Sequence, residues 1–121
     1  PPGKFEVLIN TDYGGFETSD EVDELYTFRT GKKYDDDRED LVMIQIYKEV
    51  GSEHFGGDVS LEYIENKYRG FYEIIEYDGL ESIQIDESAY KLDLLKTKIQ
   101  ELIDSSDSDS ILKEYLKKLI E

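Results

Sequence analysis

A polar, glycine-rich loop is the first stretch of the chain that could carry chemistry. It lies between a predicted strand and a predicted helix and contains Asn10, Thr11, Asp12, Tyr13, Gly14 and Gly15. Proteins of the α/β type often place ligands at such turns, and glycine lets the backbone approach a ligand closely. The loop lacks the dinucleotide-binding and P-loop patterns, and acids at the start of the next helix would oppose a bound phosphate. A ligand-binding loop and a structural turn both stay open.

A group of carboxylates lies near a predicted hairpin tip. Glu76 and Asp78 flank a tyrosine, and Glu81 follows the Asp78-Gly79 turn. Two carboxylates with separated pKa values can act as acid and base. Neighbouring residues of a strand point to opposite faces, however, and Asp78 is better explained as a turn residue. We predict no catalytic residue here, and we expect this turn to lie beside the Asn10–Phe16 turn.

The candidate ligand-binding residues belong to these two turns, with one arginine added from an acidic loop. They are Asn10, Asp12, Tyr13, Gly14, Gly15, Arg38, Glu76 and Asp78. The acidic loop, Asp35–Asp37 with Glu39 and Asp40, could collect a divalent cation. It lacks the glycine and the glutamate of an EF-hand loop, so the favoured interpretation is a solvated loop ordered by Arg38. No metal ion and no cofactor are predicted.

The histidine and cysteine content excludes several kinds of metal site and cross-link. His54 is the only histidine and cysteine is absent, which excludes a two-histidine zinc site, a thiolate metal site and disulfides. The lack of cysteine fits a reducing, intracellular compartment. No run approaches the roughly 18 apolar residues of a membrane span, so no membrane partner is expected.

The charge of the chain restricts its partners. It holds 30 acidic and 14 basic residues, a formal net charge of −16. Residues 1–86 carry 22 acids and 8 bases, whereas residues 87–121 carry 8 and 6. Such a negative field repels phosphate backbones, so direct binding of nucleic acid is not expected. Solubility in a crowded cell is the simplest use of this charge, and basic proteins, cations or nucleic-acid mimicry are the alternatives.

Periodicity and caps place the elements of the first part of the chain. A strand over Lys4–Asn10 precedes a helix over about residues 19–30, capped by Thr18 or Ser19. A second helix starts after Asp40, although its residues are also rich in β-formers and a strand is the alternative. Three short strands follow, Ser60–Glu65, Phe71–Tyr77 and Glu81–Ile85.

Two amphipathic helices are predicted after Glu87. The first has an apolar stripe of Tyr90, Leu94, Leu95, Ile99 and Leu102, widened by Ile103. A serine- and aspartate-rich segment, 105–110, interrupts the pattern. The second helix has a stripe of Ile111, Leu112, Tyr115, Leu116, Leu119 and Ile120. The pair could form an αα-hairpin over the sheet or pack against a second protomer.

The predicted fold class is therefore α+β, with the order β-α-α-β-β-β-α-α. It consists of a small mixed β-sheet with helices on one face, over residues 4–86, and a C-terminal helical pair over residues 87–121. This second part carries little net charge and two apolar stripes, so we expect it to form an oligomer interface, most simply in a homodimer.

Several segments within residues 5–86 form a recognisable combination: Ile9–Phe16, Ser19–Glu21, Arg38–Asp40, Glu49–Gly51, Leu61–Glu65 and Tyr72–Ile83. In these segments the chain resembles a family of small uncharacterised proteins of tailed phages and giant amoeba viruses. Members often have cysteine at the position of Asp12, and they often end soon after the last strand. The resemblance implies a viral protein of the host cytoplasm or the virion, and it implies no activity.

Three functions remain from the sequence. The first is a viral accessory protein that acts by protein–protein contact, with itself or with a host protein, and that is not an enzyme. The second is a small metal-dependent hydrolase or nucleotide-binding enzyme that uses Asn10, Asp12 and the Glu76–Asp78 region. The third is an inhibitor that mimics nucleic acid, which would need carboxylates spaced like phosphates over one face.

Overall fold

The computed structural model describes residues 2–105 and 110–121. Its elements are β1 (Lys4–Asn10), α1 (Asp20–Thr30), α2 (Leu41–Val50), β2 (Val59–Glu65), β3 (Tyr72–Tyr77), β4 (Leu80–Ile85), α3 (Glu87–Asp104) and α4 (Ser110–Ile120). The predicted α+β class and the predicted order of elements are confirmed. The chain divides into two compact units, Pro1–Ile85 and Asp86–Glu121.

Strands β1 and β2 form the centre of the first unit. They pair antiparallel from Lys4 opposite Glu65 to Asn10 opposite Val59. Because side chains alternate along a strand, β1 presents Leu8 to one face of this sheet and an apolar row to the other. That row is Phe5, Val7 and Ile9. These three side chains and Leu8 are buried. Burial on both faces explains why β1 is almost continuously apolar.

The two helices of the first unit cover the Leu8 face. The cluster that they form with it contains Val22, Tyr26, Met43, Ile44, Ile46, Phe55 and Val59. The hydroxyl of Ser19 accepts a hydrogen bond from the amide of Val22 and caps α1, so Ser19 rather than Thr18 is the N-cap. Asp40 caps α2 by accepting from two amides, which confirms the helix over the alternative strand.

One buried tyrosine joins the two helices. The hydroxyl of Tyr26 donates to Oδ2 of Asp40 at 2.7 Å, while the other oxygen of Asp40 caps α2. Tyr26 is completely buried. One turn further along α1, Arg29 donates two hydrogen bonds to Glu49 in the last turn of α2. Polar contacts therefore link the second half of α1 to both ends of α2 over a shared apolar core.

The hairpin of β3 and β4 covers the other face of the central sheet. Tyr72, Ile74, Ile83 and Ile85 pack against the cluster of Phe5, Val7, Ile9 and Ile64. The ring centroids of Phe5 and Tyr72 are 5.6 Å apart. The first unit is thus a stack of helices, a two-stranded sheet and a hairpin.

The predicted single mixed sheet is wrong. The structure has two separate two-stranded sheets, β1-β2 and β3-β4, and both are antiparallel. The physical reason lies at the second edge of β1. The amide of Leu8 donates to the carbonyl of Arg38 at 2.9 Å, and the amide of Asn10 donates to Oε1 of Glu81 at 2.8 Å. These groups occupy the hydrogen-bonding positions that another strand would need.

The second unit is a pair of helices. In it α3 packs against α4, and Ile103 and Leu116 are its buried large apolar residues. Asp86 caps α3, and Ser105 follows its last turn. Most of the predicted interruption over residues 105–110 lies outside the described residues. Along the described part of the chain, no helix is both long and apolar enough to cross a membrane.

The link between Tyr26 and Asp40 leads to a first prediction. We expect Tyr26→Phe to lower the free energy of unfolding by about 1–2 kcal/mol at neutral pH, because Asp40 loses a buried donor. The hydrogen bond to Asp40, with burial, raises the pKa of Tyr26 to about 12 from the usual 10.0. The unfolded chain releases this proton first, so the stabilisation is complete below pH 10 and is lost as the pH rises towards 12.

Urea unfolding of the wild type and of Tyr26→Phe, between neutral pH and pH 12, tests this pH dependence. The difference between wild type and Tyr26→Phe should shrink across the window above pH 10. A difference that stays constant through that window would show that the hydroxyl of Tyr26 is not the group that links α1 to α2.

Candidate functional site

The two predicted turns are neighbours, as expected from the sequence. Nδ2 of Asn10 donates to the carbonyl of Gly79 at 2.9 Å, and the amide of Gly14 donates to the carbonyl of Asp78 at 3.1 Å. Nδ2 of Asn10 also donates to the carbonyl of Asp12. Asn10 is completely buried, so its amide group fixes both turns from within.

The hairpin turn needs glycine for two reasons. Asp78 and Gly79 have φ values of 49° and 87°, the pattern of a type I′ turn. In addition, a Cβ at Gly79 would lie 2.1 Å from the amide nitrogen of Gly15. Oε1 of Glu76 accepts from the amide of Gly79 at 2.7 Å and holds the turn from outside. The two glycine-containing turns therefore touch backbone to backbone.

A buried ion pair lies directly behind this junction. Nη1 of Arg38 donates to Oε1 of Glu81 at 2.6 Å, and the two side chains are only 12% and 8% exposed. The same oxygen accepts the amide of Asn10. The guanidinium carbon of Arg38 lies 3.7 Å from the centre of the Phe16 ring, within the range of a cation–π contact.

The other donors of Arg38 also face protein acceptors. Nε donates to Asp36 at 3.1 Å, and Nη1 reaches the carbonyl of Leu8 at 3.4 Å. Burial alone would lower the pKa of Arg38, but the hydrogen bonds to Glu81 and Asp36 outweigh it and raise the pKa. The guanidinium is therefore a fixed positive charge whose donors are used within the protein.

A cleft of about 460 Å³ opens beside the ion pair. It is lined by Gly15, Phe16, Asp36, Arg38, Ile74, Glu76 and Glu81. Three carboxylates and one guanidinium give this lining a negative balance, which does not suit a phosphate or a nucleotide. Among the residues that the structure describes, no three His, Cys, Asp or Glu side chains are placed to hold a metal ion.

The structure brings most of the candidate residues together. Asn10, Gly14, Gly15, Arg38, Glu76 and Asp78 all belong to the junction or its cleft. Asp12 and Tyr13 point outward, where Oδ1 of Asp12 accepts the amide of Tyr13 and the ring of Tyr13 is 63% exposed. The role of these residues in binding a ligand stays a prediction.

Glu81 is the residue that the candidate list omits. The sequence did contain a sign of its importance. The Asp78-Gly79 turn fixes the hairpin register and so places Glu76 directly opposite Glu81. Like charges directly opposite each other destabilise a strand pair, so a cation or a hydrogen-bond donor had to be near. Arg38 and the amide of Gly79 meet that need.

Comparison with known proteins gives no match to this chain. No protein-family model matches it, and no curated protein and no solved structure does so either. The resemblance to viral proteins therefore stays a prediction.

The contact between the two turns leads to a second prediction. Gly79→Ala and Gly31→Ala both place a side chain at a positive φ, of 87° and 75°, which costs about 1 kcal/mol. Only Gly79→Ala adds a collision with backbone, because nothing lies within 4 Å of a Cβ at Gly31. In urea unfolding, Gly79→Ala should lower the free energy of unfolding by about 2 kcal/mol more than Gly31→Ala does, or by a larger margin. Equal losses would mean that the turns separate at little cost.

The ion pair leads to a third prediction. We expect Glu81→Gln to cost about 3 kcal/mol of stability, since it leaves the buried charge of Arg38 without its closest counter-charge. Arg38→Met should cost a similar amount. The double variant should lose much less than the sum, with a coupling energy of about 2 kcal/mol in a double-mutant cycle. Additive losses would contradict a direct role for the pair in holding β1.

Proposed function

We propose that the protein is a non-enzymatic binding module that acts by protein–protein contact and self-associates through its second unit. The observation that carries the proposal is a row of apolar side chains along α4. Ile111, Tyr115 and Leu119 are 83%, 60% and 54% exposed. They are spaced by four residues, so they lie along one side of the helix. A contiguous apolar surface of this kind is typical of an interaction site.

The neighbouring helix carries further exposed apolar side chains. Leu92 and Leu95 of α3, spaced by three residues, are also more than half exposed. A two-helix hairpin has few ways to bury such residues by itself, since each helix covers only one side of the other. Two hairpins can bury them together as a four-helix bundle, which is a common arrangement for homodimers.

The charge of the second unit permits a second copy of this chain as the partner, whereas the charge of the first unit opposes it. The first 86 residues carry a net charge of −14, and two such surfaces repel each other. In the second unit, α3 has four acids and three lysines, whereas α4 has one glutamate and three lysines. An α3 helix can therefore meet the α4 helix of a second copy with a modest attraction.

The alternative enzyme functions have less support. The carboxylates around the cleft already accept hydrogen bonds from Arg38 and from backbone amides, and they oppose a phosphate-bearing substrate. The viral source, the homodimer and an intracellular location stay predictions, as does mimicry of nucleic acid.

The test of self-association uses the full chain. Sedimentation should find a dimer at micromolar chain concentrations, and the variant Ile111→Gln, Tyr115→Gln, Leu119→Gln should be a monomer because its apolar row is gone. Glutamine keeps helix propensity, so α4 should stay folded by circular dichroism. The matched control is Phe28→Gln with Leu41→Gln, two residues of the first unit that are 88% and 80% exposed.

The control variant should sediment as wild type does. A wild-type chain that stays monomeric throughout the concentration range would overturn the proposal. So would a monomeric control, because the interface would then lie on the first unit.

A further inference from the structure

The central sheet has two outer edges, and the described residues close only one of them. The hydrogen-bond register shows which groups point outward. The amide of Thr11 donates to the carbonyl of Asp58 at 2.7 Å, and the amide of Asn66 donates to the carbonyl of Gly3 at 3.0 Å. These bonded pairs fix the alternation along the ladder. In β1, the backbone amides and carbonyls of Leu8 and Asn10 therefore point away from β2.

The same register applies to β2. Val59, opposite Asn10, and Leu61, opposite Leu8, direct their backbone groups away from β1, and so does Tyr63. The groups of Val59 are satisfied, since its amide donates to Oγ of Ser52 and its carbonyl accepts from the hydroxyl of Tyr47. Within residues 2–105 and 110–121, the outward amides and carbonyls of Leu61 and Tyr63 have no hydrogen-bond partner.

We propose that this edge of β2 binds an extended peptide segment of a partner protein, which adds to the sheet as an antiparallel strand next to Leu61 and Tyr63. Strand addition supplies affinity through main-chain hydrogen bonds and specificity through pockets for alternate side chains. The edge is accessible, since Glu62, Tyr63 and Glu65 are exposed. The proposal rests on the proposed function only in taking the protein to act by binding.

A hollow beside the edge selects one side chain of the segment. It has a volume of about 230 Å³ and includes Ile64, Ile83 and Ile85 among its lining residues. The residue of the added strand opposite Ile64 points to this side of the sheet, because side chains alternate. An aliphatic side chain such as isoleucine fits there. The hollow is also lined by Lys4, Glu62 and Glu65, so its charged side chains carry a negative balance.

The charge of the surface selects a second side chain. Glu62 is exposed, and no ion pair to it is formed by the described residues. Glu65, in contrast, lies 3.8 Å from Lys67. A lysine or arginine opposite Glu62 gives a favourable cross-strand pair. The net charge of −14 over residues 1–86 attracts a basic segment and opposes the edge-to-edge pairing of two identical chains. The ligand is therefore a basic and aliphatic strand of a different protein.

The probe is the synthetic peptide Thr-Ile-Val-Lys-Val-Thr, labelled at its N-terminus and titrated with the full chain by fluorescence anisotropy. In an antiparallel register its isoleucine lies opposite Ile64, its first valine opposite Tyr63 and its lysine opposite Glu62. We expect saturable binding with protection from hydrogen exchange at the amides of Leu61 and Tyr63. The α4 glutamine variant should bind equally well, so failure of self-association and failure of strand addition are separable.

Backbone methylation distinguishes strand addition from simple charge attraction. An N-methyl group on the valine opposite Tyr63 removes a donor that faces β2 and should weaken binding at least about tenfold. An N-methyl group on the lysine opposite Glu62 points away from β2 and should change little, which makes it the matched control. Equal weakening by both groups, or no saturable binding at millimolar chain concentrations, would overturn the proposal.

Variants of the chain complete the test. Glu62→Lys keeps the backbone intact and should weaken binding about tenfold through charge repulsion. Glu73→Lys, at another exposed strand position of the same charge, is the control and should change binding less than about twofold. If Glu62→Lys binds as wild type does, or if Leu61 and Tyr63 are protected by a second copy of the chain without peptide, the proposed ligand is wrong.

Discussion

The ion pair of Arg38 and Glu81 closes the second edge of β1, and the arrangement of the first unit depends on this contact. An edge strand exposes unpaired amides and carbonyls, which have to be satisfied by water, by another strand or by other groups of the protein. Here the carbonyl of Arg38 and the carboxylate of Glu81 accept the amides of Leu8 and Asn10. The guanidinium of Arg38 neutralises the carboxylate and reaches the carbonyl of Leu8. Both the split into two sheets and the junction of the two turns follow from this closure.

The same contact explains how acidic residues can lie so close together. Asp36, Glu76 and Glu81 line one cleft, and like charges that lie so close repel each other. Arg38 lies between two of them, and the amide of Gly79 binds the third. The cleft is therefore a consequence of how the turns are held. The binding surfaces that we propose, the edge of β2 and the apolar row of α4, contribute no residue to the lining of this cleft.

Local chemistry made much of the fold predictable. Helix caps at Ser19 and Asp40, a hairpin turn at Asp78 and Gly79 and the apolar alternation of β1 each depend on a few neighbouring residues. The division of the strands into two sheets was not predictable in this way, because it depends on Arg38 and Glu81, which are 43 positions apart. Of the candidate site, the proximity of the turns followed from their places at strand ends. The outward direction of Asp12 and Tyr13 depends on the conformation of the loop, which residue types alone do not determine.

The distance in sequence between the partners of β1 also determines the order in which the first unit can fold. The hairpin of β3 and β4 closes over a turn of two residues. Strand β1, in contrast, pairs with distant parts of the chain, since Asn10 lies opposite Val59 and binds Glu81. Closing loops of such length costs chain entropy and slows the approach to the native state. Before Glu81 binds the amide of Asn10, the apolar strand Phe5–Ile9 has an open edge, and two partly folded chains can pair there. Refolding at high chain concentration therefore competes with aggregation through β1, and the yield of native protein falls as the concentration rises.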